Sequence, residues 1–113
     1  MFTNHRRGEV ERAIVSATIK AAIDHGFKLD GVNNGEDDVK SSNRAVVMEH
    51  AFACDQAHIF FTHPDHGDRS SWLFIVLGNE GWTVISDYTM DLDAAVTSTD
   101  ALVEKFEEEW ARG

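Results

Sequence analysis

The sequence has a single cysteine, no long apolar run and few basic residues. Cys54 has no second cysteine to pair with, so we expect no internal disulfide and a reducing compartment. No apolar stretch approaches the ~20 residues that a transmembrane helix requires. Arg6 and Arg7 are not followed by the apolar segment of a signal peptide. These absences predict a cytoplasmic protein without a membrane partner.

Basic residues are outnumbered by acidic ones. Ten Lys and Arg face twenty Asp and Glu, for a formal net charge of −10. Proteins that bind nucleic acid neutralise phosphates with Lys and Arg, so nucleic acid is not expected as a direct partner. The excess is concentrated at one end, because residues 80–113 hold nine acidic and two basic side chains. It serves either solubility or the recognition of a basic protein.

Helical spacing of apolar residues marks three segments of the chain. The first predicted helix covers about 8–25 and ends at Gly26, which supplies a left-handed stop. The second covers about 43–54, and the third covers about 92–112. The run 97–99, Thr-Ser-Thr, could divide the third helix in two, because these residues prefer caps to helix interiors.

Three β-rich segments precede the third helix, at 57–62, 71–77 and 82–88. Their connections are too short for parallel crossovers, so we expect an antiparallel meander. Asn34-Gly35 predicts a hairpin turn, although a plain loop over 27–40 is the alternative. The predicted fold class is α+β, in the order α-(ββ)-α-β-β-β-α. One domain over 1–113 holds a three-stranded antiparallel meander, optionally extended by the edge hairpin and packed with about three helices.

The middle strand of the meander is apolar on both of its faces. Six of its seven side chains are apolar: Trp72, Leu73, Phe74, Ile75, Val76 and Leu77. A strand with one solvated face alternates apolar with polar residues, so this pattern predicts that both faces are covered. Helices cover one face. The other requires a remaining helix or a second copy of the chain, which makes a homodimer one hypothesis.

The loop after the first strand of the meander holds four potential metal ligands within six residues: His63, Asp65, His66 and Asp68. Imidazole and carboxylate groups commonly bind transition metals. The string is similar to the Thr-His-x-His-x-Asp-His pattern of metallo-β-lactamases, but one histidine is missing and no second ligand set follows. A turn built by Pro64 and Gly67 is the simpler interpretation. No metal is therefore predicted, and the four residues remain candidates.

No catalytic residue is predicted. Cys54 lies between His50 and His58 in the sequence, but a lone cysteine on a helix is typically a small buried side chain. No oxyanion-donor loop is identifiable near it. The turn at 78–81, Gly-Asn-Glu-Gly, lacks the pattern of a phosphate-binding loop. The chain is therefore predicted not to be an enzyme and to need no cofactor.

The last predicted helix carries five acidic candidates for partner recognition: Asp100, Glu104, Glu107, Glu108 and Glu109. Carboxylates near a helix C-terminus oppose the helix dipole, and pairs one turn apart repel each other slightly. A solvated face is one interpretation of this pattern. The alternative is a recognition surface that presents carboxylates to a basic protein.

The string GNEGWTVISDYT, which follows a strand containing Trp72, resembles a segment of small uncharacterised bacterial proteins. Many of these are encoded by prophages or other mobile elements. The resemblance covers roughly residues 25–96 and includes Gly26-Phe27 and Asn34-Gly35, whereas the histidine-rich loop at 63–66 departs from it. It implies no established activity and no functional residues. A mobile-element origin would make a host-directed inhibitor more credible.

These observations favour a non-catalytic module that binds a basic protein. A sharper form of this hypothesis is a DNA mimic, whose carboxylates are spaced like phosphates and inhibit a host protein. Two alternatives stay open. One is a metal-binding protein or metal-dependent enzyme that uses the loop from His63 to Asp68, and the other is an oligomeric structural component.

Overall fold

The computed structural model contains an antiparallel five-stranded sheet with the order β2-β1-β3-β4-β5. It describes residues 4–67, 70–77, 84–101 and 104–105, and of 4–9 and His66 the backbone alone. Short 3₁₀ turns cover Pro64–His66 and Met90–Leu92. The helices and strands are α1 (Asn4–Asp24), β1 (Lys28–Asn33), β2 (Asp38–Lys40), α2 (Arg44–Ala51), β3 (Gln56–Thr62), β4 (Ser70–Val76), β5 (Ile85–Tyr88) and α3 (Asp93–Thr97).

The prediction of a three-stranded sheet is corrected by the hairpin of β1 and β2. This hairpin forms and extends the meander to five strands, because β1 pairs with both β2 and β3. The buried side chain of Asn34 holds its turn. Its Oδ1 accepts from the backbone N–H groups of Glu36 (3.0 Å) and Asp37 (2.7 Å), and its amide donates to the carbonyl of His50 (3.0 Å). The last bond ties the turn to α2, a contact that local sequence does not reveal.

The three predicted helices are present with shifted bounds. The second begins after Asn43, whose side chain accepts from the N–H groups of Ala45 and Val46 and caps the helix. The third is interrupted as expected: α3 ends at Thr97, a turn covers 98–99, and helical backbone resumes at 100. Residues 102–103 and 106–112 of that predicted helix lie outside the described residues. No described helix has the length and apolar character needed to cross a membrane.

The described helices pack on one face of the sheet and enclose the core with it. The sheet contributes Leu29, Val32, Ala57, Ile59, Phe61, Leu73 and Ile75, and the helices contribute residues such as Ile14, Ile19, Val47 and Ala95. A buried contact also joins α1 to the turn that follows α3, where Thr18 Oγ1 lies 3.3 Å from Thr99 Oγ1. Each strand therefore has one face toward the helices and one face away from them.

We predicted that both faces of β4 are covered. Within the described part of the chain, only one of the two faces is fully covered. Leu73 and Ile75 are fully buried. Trp72, Phe74 and Val76 are only half-buried, and none of the three packs against the described core. The two faces of the sheet therefore differ in burial, although β4 is apolar on both.

Candidate functional site

A cluster of half-buried apolar side chains lies on the sheet face that points away from the described helices. We call this surface the aromatic face, and it consists of His58, Phe60, Trp72, Phe74 and Val76. These residues alternate along β3 and β4 with the core residues of the same strands. Because side chains alternate between faces with a period of two, burial of one set places the other set on the opposite side.

The imidazole of His58 lies at the centre of the aromatic face. It stacks on Phe74, with ring centroids 4.6 Å apart, and meets Trp72 edge-on at 5.5 Å. Phe60 lies on the same strand, with its ring nearly parallel to the imidazole at 6.2 Å. The ladder pairs His58 directly with Phe74 and Phe60 with Trp72. Cross-strand pairs of this kind contribute about 0.2–1 kcal/mol each, far less than full burial of the same rings.

Residues paired across the strands form a row that crosses the aromatic face at His58. The residue at each end of this row is a carboxylate. The pairing runs from Asp38 through Asn33 to His58, then through Phe74 to Asp87. Residues in one such row project from the same side of the sheet. The aromatic side chains in the middle are therefore flanked by negative charge on both sides.

One end of the aromatic face adjoins the turn between β1 and β2 and is acidic. We call this end the acidic corner, and it consists of Glu36, Asp37, Asp38 and Asp55, all exposed. Burial raises the pKa of the Cys54 thiol, and the negative charges of Glu36, Asp37 and Asp55 raise it further. The far end of the strands carries Lys28, Asp30 and Lys40 instead. The surface thus becomes more negative toward the turn.

His63, one of the candidate metal ligands, makes contacts that stabilise the local fold. Its Nδ1 accepts from the N–H of Asp65 (3.1 Å), and its Nε2 lies 3.3 Å from the carbonyl of His25. These two contacts suit a neutral imidazole that donates from Nε2 and accepts at Nδ1. The ring also packs edge-on against Phe27, with centroids 4.8 Å apart. Metal binding would require His63 to give up one of these contacts.

Of the other three candidates of the loop, only Asp65 has a described side chain. Asp65 is exposed, with Oδ2 3.9 Å from Nδ1 of His63. The side chain of His66 and all of Asp68 lie outside the described residues. Among the residues that are described, no three His, Cys, Asp or Glu side chains are grouped to hold a metal. Metal binding by this loop stays an untested alternative.

The acidic candidates of the C-terminal segment are described only in part. Asp100 and Glu104 are exposed, as a recognition surface requires. Glu107, Glu108 and Glu109 lie outside the described residues. Their role in partner binding stays a prediction.

Sequence reasoning identified the second apolar face of β4 but missed the part of the aromatic face that β3 contributes, although β3 contains a signal for it. The segment 56–62, Gln-Ala-His-Ile-Phe-Phe-Thr, places polar residues at three of its four even positions. That alternation is typical of a strand with one solvated face. Since His58 pairs with Phe74, the more accessible face of β3 is continuous with that of β4.

No family model matches the chain, and neither a curated protein nor a solved structure matches it. The resemblance to mobile-element proteins therefore stays a prediction. Only the geometry of the chain itself bears on its function.

Proposed function

We propose that the protein is a non-catalytic interaction module that binds a basic segment of a partner protein on its aromatic face. The observation that carries this proposal is the half-buried cluster around His58, with Asp38 and Asp87 at the ends of its row. Contiguous apolar patches with polar rims typically mark binding sites. Aromatic side chains such as Trp72 are frequent hot spots of such sites.

The size of the aromatic face favours a segment over a second copy of the chain. It is two strands wide and seven residues long, which corresponds to roughly 10 Å by 20 Å at ordinary strand spacing. A stable protein interface buries about 800 Å² on each partner. A patch of this size supplies too little apolar area for a dimer by itself, but it accommodates a single strand or helix of a partner.

The charge of the chain favours a basic occupant. At a net charge of −10, two copies repel each other, whereas a basic partner is attracted and steered toward the site. The acidic corner places negative charge at one end of the aromatic face. The partner segment is therefore expected to combine apolar side chains with Lys or Arg, and to bind more weakly as salt is raised.

Site-specific photo-crosslinking tests this function. A photoreactive phenylalanine analogue replaces Phe60 in one variant and Met90 in a control. Met90 is an apolar residue that is 89% exposed outside the aromatic face. Both proteins are irradiated in a lysate of the cells that express the chain, and the cross-linked peptides are identified by mass spectrometry. We expect position 60 to cross-link to a basic segment of a partner, and to do so less at high salt. We expect no such cross-link from position 90.

Two results would overturn this function. Equal cross-linking from both positions would mean that the aromatic face is not the binding surface. Cross-linking of position 60 only to another copy of the chain would instead establish the homodimer. Sedimentation provides an independent check, since the proposal predicts a monomer of 12.6 kDa at micromolar concentration.

A further inference from the structure

A recess of about 270 Å³ lies where the aromatic face meets the turn between β1 and β2. We call it the end recess. The residues that line it include Asn33, Gln56, His58 and Phe74. Two of these are rings of the aromatic face, and two carry carboxamides. The recess shares His58 and Phe74 with the aromatic face and extends to Gly35, next to the acidic corner.

We propose that the end recess binds an arginine side chain of the partner segment. This inference rests on the function proposed above and names the residue by which the partner is recognised. A guanidinium is planar and positively charged, so it can stack on an aromatic face while its edge donates hydrogen bonds. The end recess provides aromatic rings and oxygen acceptors close together, which is the chemistry that such a group requires.

The rings of the end recess supply the stacking surface. Phe74 and His58 both line the recess and stack on each other with their planes inclined by 24°, so a planar group that enters the recess meets aromatic rings. A guanidinium above an aromatic ring is held by cation–π attraction. The described residues already include such a contact, where Cζ of Arg12 lies 4.6 Å from the ring centroid of Phe52.

Oxygen atoms around the end recess supply the acceptors. Oδ1 of Asn33 accepts from the N–H of Gly35 at 2.9 Å, which orients the carboxamide and leaves the second lone pair of that oxygen for a ligand. Gln56 is exposed and its amide can turn toward a donor. Asp38 is the direct ladder partner of Asn33, so a negative charge lies beside the recess. Lysine offers charge but no planar face, and arginine is therefore preferred.

Selection from random peptides tests the end recess without knowledge of the natural partner. Phage-displayed short peptides are selected on the wild-type protein, and the affinity of each enriched peptide is measured beside its Arg→Lys version. We expect arginine to be enriched next to apolar residues. Lysine keeps the charge but loses the planar fork of donors, so replacing that arginine by lysine should weaken binding about two- to tenfold, the range expected of one net hydrogen bond.

Variants of the protein test whether the arginine of the peptide binds in the end recess. Phe74→Leu and Gln56→Leu should each remove the difference between the arginine and lysine peptides. Asp38→Asn should weaken the arginine peptide about two- to fivefold, as for an exposed ion pair. Met90→Ser is the matched control and should change nothing. Circular dichroism establishes that each variant is folded, and Gln56→Leu alters only an exposed side chain, so it keeps the test valid if Phe74→Leu does not fold.

The outcomes separate this inference from the proposed function. Peptides that need Trp72 and Phe60 but show no arginine preference overturn the arginine site and leave the aromatic face as a binding surface. Peptides that bind Trp72→Ser and Phe60→Ser as well as wild type overturn both. An arginine preference that persists in Gln56→Leu and in folded Phe74→Leu places the arginine elsewhere and also overturns the inference.

Discussion

The imidazole of His58 stacks on the ring of Phe74, with centroids 4.6 Å apart and planes inclined by 24°. The next pair along the same ladder is Ile59 and Leu73, and both of these residues are fully buried. Adjacent ladder pairs of β3 and β4 therefore face opposite environments. The stability and the binding properties of the sheet should respond to different residues.

Leu73 and Phe74 provide a matched pair for the two faces. Leu73→Ala should lower the free energy of unfolding by about 2–5 kcal/mol, because it leaves a cavity in the core. Phe74→Ala should cost roughly 1 kcal/mol, the scale of a lost cross-strand pair, while it removes binding at the aromatic face. Urea denaturation measures both changes. Equal losses of stability would contradict the placement of Phe74 outside the core.

Gly31 and Gly35 separate steric from conformational requirements in the hairpin. A Cβ at Gly31 would lie 2.3 Å from the carbonyl oxygen of Val39, so Gly31→Ala must push β2 away from β1. Gly35 has φ +91 and open space around its Cβ position, so Gly35→Ala incurs only the left-handed strain of about 1–2 kcal/mol.

The two alanine variants should therefore differ in how much stability they lose and in whether the pairing of β1 with β2 is disturbed. We expect Gly31→Ala to be the more destabilising, with faster amide hydrogen exchange throughout β2. Gly35→Ala should keep the strand pairing protected. A hairpin that exchanges equally in both variants would show that the close approach of Gly31 to Val39 is not required.

Tyr88 should make the stability depend on pH in the alkaline range. Its hydroxyl donates to Oδ1 of Asp93 at 2.9 Å. This hydrogen bond raises the pKa of Tyr88, and burial and the charges of Asp93, Asp100 and Asp87 raise it further. A raised folded-state pKa contributes stability that is complete below the ordinary tyrosine value of about 10 and is lost as pH rises through the folded-state value.

The chain has one tyrosine, so the ultraviolet absorbance of its phenolate reports this group alone. We expect the midpoint of that titration to lie above the ordinary value in wild-type protein and to fall in Asp93→Asn. A Tyr88→Phe variant should lose the associated change in stability between neutral and alkaline pH. An Asp93→Asn titration identical to that of wild type would contradict the hydrogen bond.

Cys54 should react slowly with alkylating reagents near neutral pH. Its raised pKa, which follows from burial and from the carboxylates of Glu36, Asp37 and Asp55, lowers the fraction of reactive thiolate. The rate of alkylation as a function of pH should have a midpoint above that of a free cysteine peptide. Glu36→Gln should shift this midpoint downward, and Glu49→Gln, an exposed change on α2, serves as the control. A midpoint unaffected by Glu36→Gln would show that the acidic corner does not act on the thiol.

Local pattern was sufficient for most secondary structure. The helical spacing around Ile14 and the short connections of the meander predicted α1 and an antiparallel sheet, because both depend on neighbours in the chain. The hairpin was left undecided, since its turn is held by the bond from Asn34 to the carbonyl of His50 on α2. The metal-ligand spacing of the loop did not predict that His63 would contact the carbonyl of His25.

The sequence by itself determined which side chains share a face, because alternation along a strand and spacing along a helix are properties of local geometry. It separated Leu73 and Ile75 from Trp72 and Phe74 without any structure. Only the tertiary fold decided which of these two sets the helices would cover. That choice depends on the shape and area of the whole helix layer, and strands that are apolar on both sides leave it open.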